Sequence, residues 1–339
     1  MEEPTVLAAQ EAALGRIVLN RPRALNALDL PMIQAVAEAL VRFAADPSVA
    51  LVSIEGAGGR AFCAGGDVRA IRANTLARDF AASEAFFVAE YGVNQAIADF
   101  PKPYVALIDG ICMGGGMGLS IHGRHRVVTE ATMMAMPETT IALFPDIGAS
   151  HFLPRLPGQV GLWLALTSAR IGPGDALAAG LGTCFVPREQ LDALRQALAE
   201  GGEAALARFA QPRPPETLDA ATLARIDRCF GAGSVPGILA ALEAEGGDWA
   251  AAQLAALRAA SPTSLFVSHE VLRRGATATL AQALATELRL TRTVTRHPDF
   301  LEGVRAQVVD KTRDPKWHPA RIEDVDPAAI AALFGSQAT

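Results

Sequence analysis

Aromatic and charged side chains are scarce in this chain of 339 residues. Phe, Trp and Tyr together make up 6%, with two tyrosines and three tryptophans, and Asp, Glu, Lys and Arg make up 19%. The 30 basic and 36 acidic residues leave a net charge of −6 and form no long run of one sign. That excludes an acidic or basic tail and leaves no electrostatic footprint for nucleic acid. Cysteine occurs four times, at Cys63, Cys112, Cys184 and Cys229, without a CxxC pair. A disulfide framework is therefore disfavoured and a reducing compartment expected. Apolar runs are broken by charge, Pro or Gly well short of the ~18 residues a membrane span needs. Met1 to Pro4 carry two glutamates and no basic stretch, so no signal or transit peptide is expected and the cytoplasm is the expected compartment. Half of the chain is hydrophobic, too much for disorder, and its length fits two domains or one with a large extension.

Strand and helix signals alternate over the first half. Thr5–Ala8 and Arg16–Asn20 read as strands joined by a turn near Gly15. A helix follows, capped by Asp29, with Pro31 in its first turn and Ile33, Val36, Ala37, Leu40 and Val41 on one face. Val49–Glu55, Tyr104–Asp109, Arg126–Thr129 and Met133–Met136 read as strands. Glu84–Asp99 and Gly114–His122 read as helices, and Gly56–Gly66 as a glycine-rich loop. This is an α/β pattern through about residue 170. Beyond it, Arg188–Phe209, Leu218–Phe230, Val235–Leu257, Thr263–Arg274 and Leu280–Thr295 all have helical spacing and no strand signal stands out. The expected organisation is a core over 1–170 and a helical region over 171–339, with Gln211–Pro215 as a hinge.

Several motifs fail on context. Gly56-Ala57-Gly58-Gly59-Arg60-Ala61 follows a strand as a dinucleotide fingerprint does, but further glycines, Gly65 and Gly66, come before any helix. No nucleophile elbow surrounds Ser120. His122 and His125 are three apart, yet no third ligand stands at metal-site spacing nearby.

Three motifs survive. Phe62-Cys63-Ala64-Gly65-Gly66-Asp67 is a tight turn in which glycine lets backbone amides approach a ligand. Gly110 to Gly118 follows a buried strand and opens a helix on three adjacent glycines, which puts free N–H donors at one point, suited to a developing oxyanion. Met136-Pro137-Glu138 through Phe144-Pro145-Asp146-Ile147-Gly148 sets two carboxylates in an apolar stretch, where burial makes them costly unless they are paired or used. Each motif also has a plain structural reading: a turn, close helix packing, or a helix cap at Asp146 with a solvated Glu138.

In order and spacing these three motifs together resemble the crotonase (enoyl-CoA hydratase/isomerase) superfamily. The resemblance implies a spiral core of stacked ββα units with a long α-helical C-terminal region, binding acyl-CoA with its thioester oxygen on two backbone amides, here Gly66 and Gly115. A hydratase of that superfamily uses two glutamates. Glu138 matches the second, but the position of the first is Gly118, so hydration lacks one of its carboxylates.

A finer resemblance, over almost the full length, is to the branch that hydrolyses 3-hydroxyisobutyryl-CoA. Lys102-Pro103-Tyr104 through Gly110, Met113 through Gly123, Leu143-Phe144-Pro145-Asp146, Phe152-Leu153-Pro154-Arg155 and Asp299-Phe300-Leu301-Glu302-Gly303 carry it. It implies substrate contacts at Glu90, Gly115, Glu138 and Asp146, with Glu138 and Asp146 catalytic. Glu138 would be nucleophile or base, Asp146 would position the 3-hydroxyl or tune the proton on Glu138, Glu90 would help hold the polar end of the acyl group, and Arg23, Arg69 and Lys311 would face the CoA phosphates. It implies valine breakdown as the setting. The expected partner is the acyl-CoA substrate, with CoA as part of it and no separate cofactor or metal. Nucleic acid and membrane are not expected, and a homo-oligomer is left open. An enoyl-CoA hydratase or isomerase of the same fold is one alternative, since moving a proton needs a single base. A non-catalytic acyl-CoA-binding scaffold is a second, and a nicotinamide oxidoreductase resting on the Gly56 motif is a third.

Overall fold

A computed structural model describes residues 3–335. Met1 and Glu2, where the leader expectation starts, and residues 336–339 lie outside the described residues. The chain forms two compact units. The first takes in residues up to Asp67, then 89–135 and 170–217; the second takes in 68–88, 136–169 and 218 onward.

The first unit is built on nine strands: β1 (Val6–Glu11), β2 (Leu14–Leu19), β3 (Leu51–Gly56), β4 (Ala61–Cys63), β5 (Tyr104–Ile108), β6 (Ile111–Met113), β7 (His125–Val128), β8 (Met133–Ala135) and β9 (Cys184–Phe185). Six form one sheet in the order β1-β2-β3-β5-β7-β9, and β4-β6-β8 form a second. Among the described residues β1 and β2 pair antiparallel, and the other strand-to-strand pairings are parallel. The pairs β3/β4, β5/β6 and β7/β8 are successive turns of a spiral, each placing its first strand in the large sheet and its second in the small one. This is the α/β architecture of stacked turns that the motifs implied.

Parallel strands covered on both faces read as unbroken apolar runs. β5 (Tyr-Val-Ala-Leu-Ile) is buried along its whole length, and Val105, Leu107, Val127, Leu14 and Leu51 pack with Leu191, Leu194 and Leu198 of the helix Leu191–Gly201. Glu55, on β3, is the exception in such a setting. Arg16 at 2.5 Å and Arg195 at 2.7 Å compensate its charge.

The helix Leu30–Ala45 starts as its sequence requires: Asp29 accepts the Met32 amide at 2.9 Å, and Pro31 lies in the first turn. Lys102 closes its other end by donating to the carbonyls of Phe43 at 2.6 Å and Asp46 at 2.5 Å.

Three local expectations are corrected. The β1–β2 turn is at Ala12–Ala13, and Gly15 lies within β2, where the Phe43 ring occupies the space a side chain would need. The glycine-rich segment 56–66 contains β4. The chain after Gly59 therefore runs on as a strand where a dinucleotide fingerprint needs a helix. β9 is a strand in the stretch that read as wholly helical, and it extends the large sheet beyond β7.

The second unit is helical. Asp219, Ser234, Ser261 and Thr279 cap helices that start at Ala220, Val235, Pro262 and Leu280, and Thr279 with Gln282 forms a full capping box. The single helix expected over 235–257 is two, Val235–Glu245 and Gly247–Ala259, because Gly246 and Gly247 both take left-handed φ. No helix among the described residues is long and apolar enough to cross a membrane.

Candidate active site

In the first unit, the two glycine motifs meet. Gly65 turns the chain with φ +109°, and its carbonyl accepts the Leu28 amide at 2.9 Å. Gly114 turns it again at φ +47° and starts the helix Gly115–Ile121. A β-carbon added to Gly115 would stand 3.3 Å from the Gly66 amide nitrogen and 3.2 Å from Leu28 Cδ1, and would collide with the Glu90 carboxyl. The Gly66 amide, Gly115 and Glu90 are thus immediate neighbours.

Gly116 has a different reason to be glycine. A β-carbon there would meet the Cys63 backbone, with the Cys63 Cβ at 3.0 Å. The glycine triple therefore serves close packing at Gly116 and an open backbone at Gly115. Glu90, on the helix Phe80–Ala98, is buried, so the solvated reading of that glutamate fails.

Cys63 and Cys112 are register partners beneath these turns. Burial pushes the Cys112 thiol up to about 12 and the Cys63 thiol higher still, so both stay protonated at neutral pH and neither is a thiolate nucleophile. Gly118 is buried inside its helix and offers no carboxylate. His125 is engaged by Glu203 at 2.7 Å.

The carboxylate segment belongs to the second unit. Glu138 opens a short 3-10 turn, Glu138–Ile141, and Ala142 reverses the chain at φ +55° so that the Leu143 amide returns to the Glu138 carbonyl at 3.0 Å. Thr140 closes the turn onto the Pro137 carbonyl at 2.6 Å, and the Ser261 amide donates to the Thr139 carbonyl at 3.0 Å. Glu138 is 4% exposed and Asp146 5%, so both carboxylates are buried and the solvated reading of Glu138 also fails. Gly148, not Asp146, is the N-cap of the helix Ala149–Phe152, whose first amide donates to the Asp146 carbonyl at 2.9 Å.

Motif reading missed Glu287, on the helix Leu280–Val294. It is fully buried and accepts the Gly148 amide at 2.7 Å and the Ser150 amide and hydroxyl at 3.0 and 2.6 Å. Burial, with the nearby charge of Asp146, pushes its carboxyl up to about 7 against these three hydrogen bonds. The one sequence signal was a glutamate on the apolar face of its helix. Of the residues matched to CoA phosphates, Arg69 donates to the Val308 carbonyl at 2.5 Å, while Arg23 and Lys311 are exposed.

A family model described as enoyl-CoA hydratase/isomerase matches residues 14–334. A mitochondrial 3-hydroxyisobutyryl-CoA hydrolase from Xenopus tropicalis is 43% identical, over 97% of this chain and 88% of that protein. The protein of the same name from Homo sapiens is 42% identical, over 94% and 86%. Among solved structures, one described as a carnitinyl-CoA dehydratase from Mycobacterium thermoresistibile superposes with a TM-score of 0.94 at 40% identity, over 98% of this chain and 97% of that one. One described as an enoyl-CoA hydratase from Rhodobacter sphaeroides superposes with 0.92 at 43% identity, over 98% of each.

The word mitochondrial in the relatives' names overturns the expectation of a cytoplasmic protein. That expectation rested on the first four residues and on cysteine usage. A targeting segment is separable from the folded enzyme, and the mitochondrial matrix keeps thiols reduced as the cytosol does, so neither feature distinguishes the two.

Proposed function

We propose, since this chain belongs to the enoyl-CoA hydratase/isomerase family, that it is an acyl-CoA thioester hydrolase converting 3-hydroxyisobutyryl-CoA and water to 3-hydroxyisobutyrate and CoA, a step of valine breakdown. The observation that carries the reading is the pattern of carboxylates. Glu138 is buried in an apolar segment while position 118, where a two-glutamate hydratase needs its other acid, is a buried glycine. One carboxylate can split a thioester; two are needed to deliver and activate water across a double bond.

In this reading the thioester oxygen lies on the amides of Gly66 and Gly115. Charge grows on that oxygen as the carbonyl becomes tetrahedral, and each fixed donor stabilises it by about 3 kcal/mol. Glu138 either attacks the carbonyl to give a mixed anhydride that water then opens, or takes the proton from attacking water. In both routes the C–S bond breaks and CoA leaves as the thiolate. Asp146 and Glu90 hold the 3-hydroxyl. A buried acceptor left unpaired by a deoxy substrate costs more than a missing methylene, so the hydroxyl becomes the basis of selection. CoA is part of the substrate, and the chemistry calls for no separate cofactor. The residues given roles in this reading all come from 1–170; Glu287, from the helical remainder, holds the amides of Gly148 and Ser150, which follow Asp146 in the chain.

The test is free-thiol release from 3-hydroxyisobutyryl-, 3-hydroxypropionyl-, isobutyryl-, crotonyl- and acetyl-CoA. Fast release from the 3-hydroxy members is expected. Loss of the enoyl absorbance of crotonyl-CoA with no thiol release would move the protein to the hydratase activity named for its structural relatives.

A further inference from the structure

Glu287 is fully buried, and an isolated carboxylate there would be expensive. All the donors it accepts come from the turn after Asp146: the Gly148 amide on one oxygen, and the Ser150 amide and hydroxyl on the other. That turn is strained. Ile147 is β-branched yet holds φ +58°, and Gly148 follows at φ +81°. A left-handed β-branched residue is costly and persists only where its surroundings impose it. Glu287, some 140 residues further along the chain, holds the amides of Gly148 and Ser150 on the far side of this pair. The backbone just before the strained pair is Asp146 itself, whose carbonyl accepts the Ala149 amide. The clamp therefore fixes where the Asp146 side chain emerges.

We propose that Glu287 is a positioning residue: by holding the Gly148 and Ser150 amides it sets the orientation in which Asp146 recognises the 3-hydroxyl of the acyl group. This rests on the hydrolase reading and on the role given there to Asp146. A carboxylate suits the task because both of its oxygens accept, and three donors converge on it. In Glu287→Gln one oxygen becomes an NH2 group that must face an amide N–H, so at least one bond of the clamp is lost. Ser150→Ala removes one bond and leaves the carboxylate in place.

The experiment compares kcat/KM for CoA release from 3-hydroxyisobutyryl-CoA and from isobutyryl-CoA in wild type, Glu287→Gln and Ser150→Ala. The ratio of the two is expected to fall by about tenfold or more in Glu287→Gln and by a smaller factor in Ser150→Ala. A purely structural role would lower both rates by a common factor and leave the ratio where it was, and that result overturns the proposal. Should Glu287→Gln fail to fold, the ratio in Ser150→Ala decides. A wild-type protein that releases CoA from neither thioester overturns the hydrolase reading instead, and the positioning role falls with it.

Discussion

The hydroxyl of Tyr104 donates to the carbonyl of Leu119 at 2.9 Å. Tyr104 lies on the buried strand β5, and Leu119 belongs to the last turn of the helix Gly115–Ile121, so the bond anchors the far end of the helix whose first residue, Gly115, is the proposed oxyanion donor. Burial pushes the phenol well above its ordinary pKa, which keeps it a donor at any working pH. The ring also fixes a neighbour: a β-carbon at Gly123 would collide with it. Tyr104→Phe leaves a buried carbonyl without its donor and should lower stability by about 1–3 kcal/mol in urea titration. A variant as stable as wild type would mean that another donor can reach the Leu119 carbonyl.

Glu138→Gln keeps shape and removes the proposed base or nucleophile. Thiol release should fall by about a thousandfold or more while CoA binding, followed by calorimetry, survives. Single turnover in 18O-water separates the two routes. If water opens a mixed anhydride at the Glu138 carbonyl, the product of the first turnover carries an unlabelled oxygen from the enzyme. If Glu138 is a base, the label enters the product at once.

Gly115→Ala tests the oxyanion site. The added methyl would stand 3.3 Å from the Gly66 amide, in the space proposed for the thioester oxygen, and would push against the Glu90 carboxyl. Glu90 is a side chain that can shift, so the cost to folding should be small. The cost to turnover should not be: the amide at position 115 stays, but the methyl would keep the thioester oxygen from reaching the two amides, and loss of even one oxyanion contact typically lowers kcat by about a hundredfold or more. An unchanged kcat would remove Gly115 from this role.

What the sequence made legible follows a physical line. Asp29 and Pro31 act within one turn of themselves, so the helix start at Leu30 could be read from them alone. β5 was visible because a strand buried on both faces is a run of apolar residues. Glu138 and Asp146 stood out because carboxylates in apolar segments need a reason. The missed features depend on distant partners. β4 and β6 are three residues each and are strands because they pair in the small sheet with each other and with β8. Gly15 signalled a turn, but its use is to admit the ring of Phe43. Glu287 resembled any glutamate on a helix, because its donors at Gly148 and Ser150 lie nearly 140 residues away.

The same Glu287 should give the protein a pH dependence whose sign can be worked out. Its carboxyl titrates near 7 in the folded chain against an ordinary value of 4.5. Between those limits the folded state holds a proton that the unfolded state has already lost. Stability from this group is therefore fully present below about pH 4.5, declines as pH rises, and is gone above about pH 7, with a total on the order of 3 kcal/mol. Other carboxylates titrate over part of the same range, so the quantity to measure is the difference between wild type and Glu287→Gln, in which this titration is absent. The advantage of wild type should shrink from pH 5 to about pH 7 and level off by pH 8 in urea titrations. Asp146→Asn removes the neighbouring negative charge that helps raise the Glu287 carboxyl, so in that background the decline should move to lower pH. A difference that stays flat from pH 5 to pH 8 would mean that Glu287 is already ionised at pH 5, and that the three donors outweigh its burial.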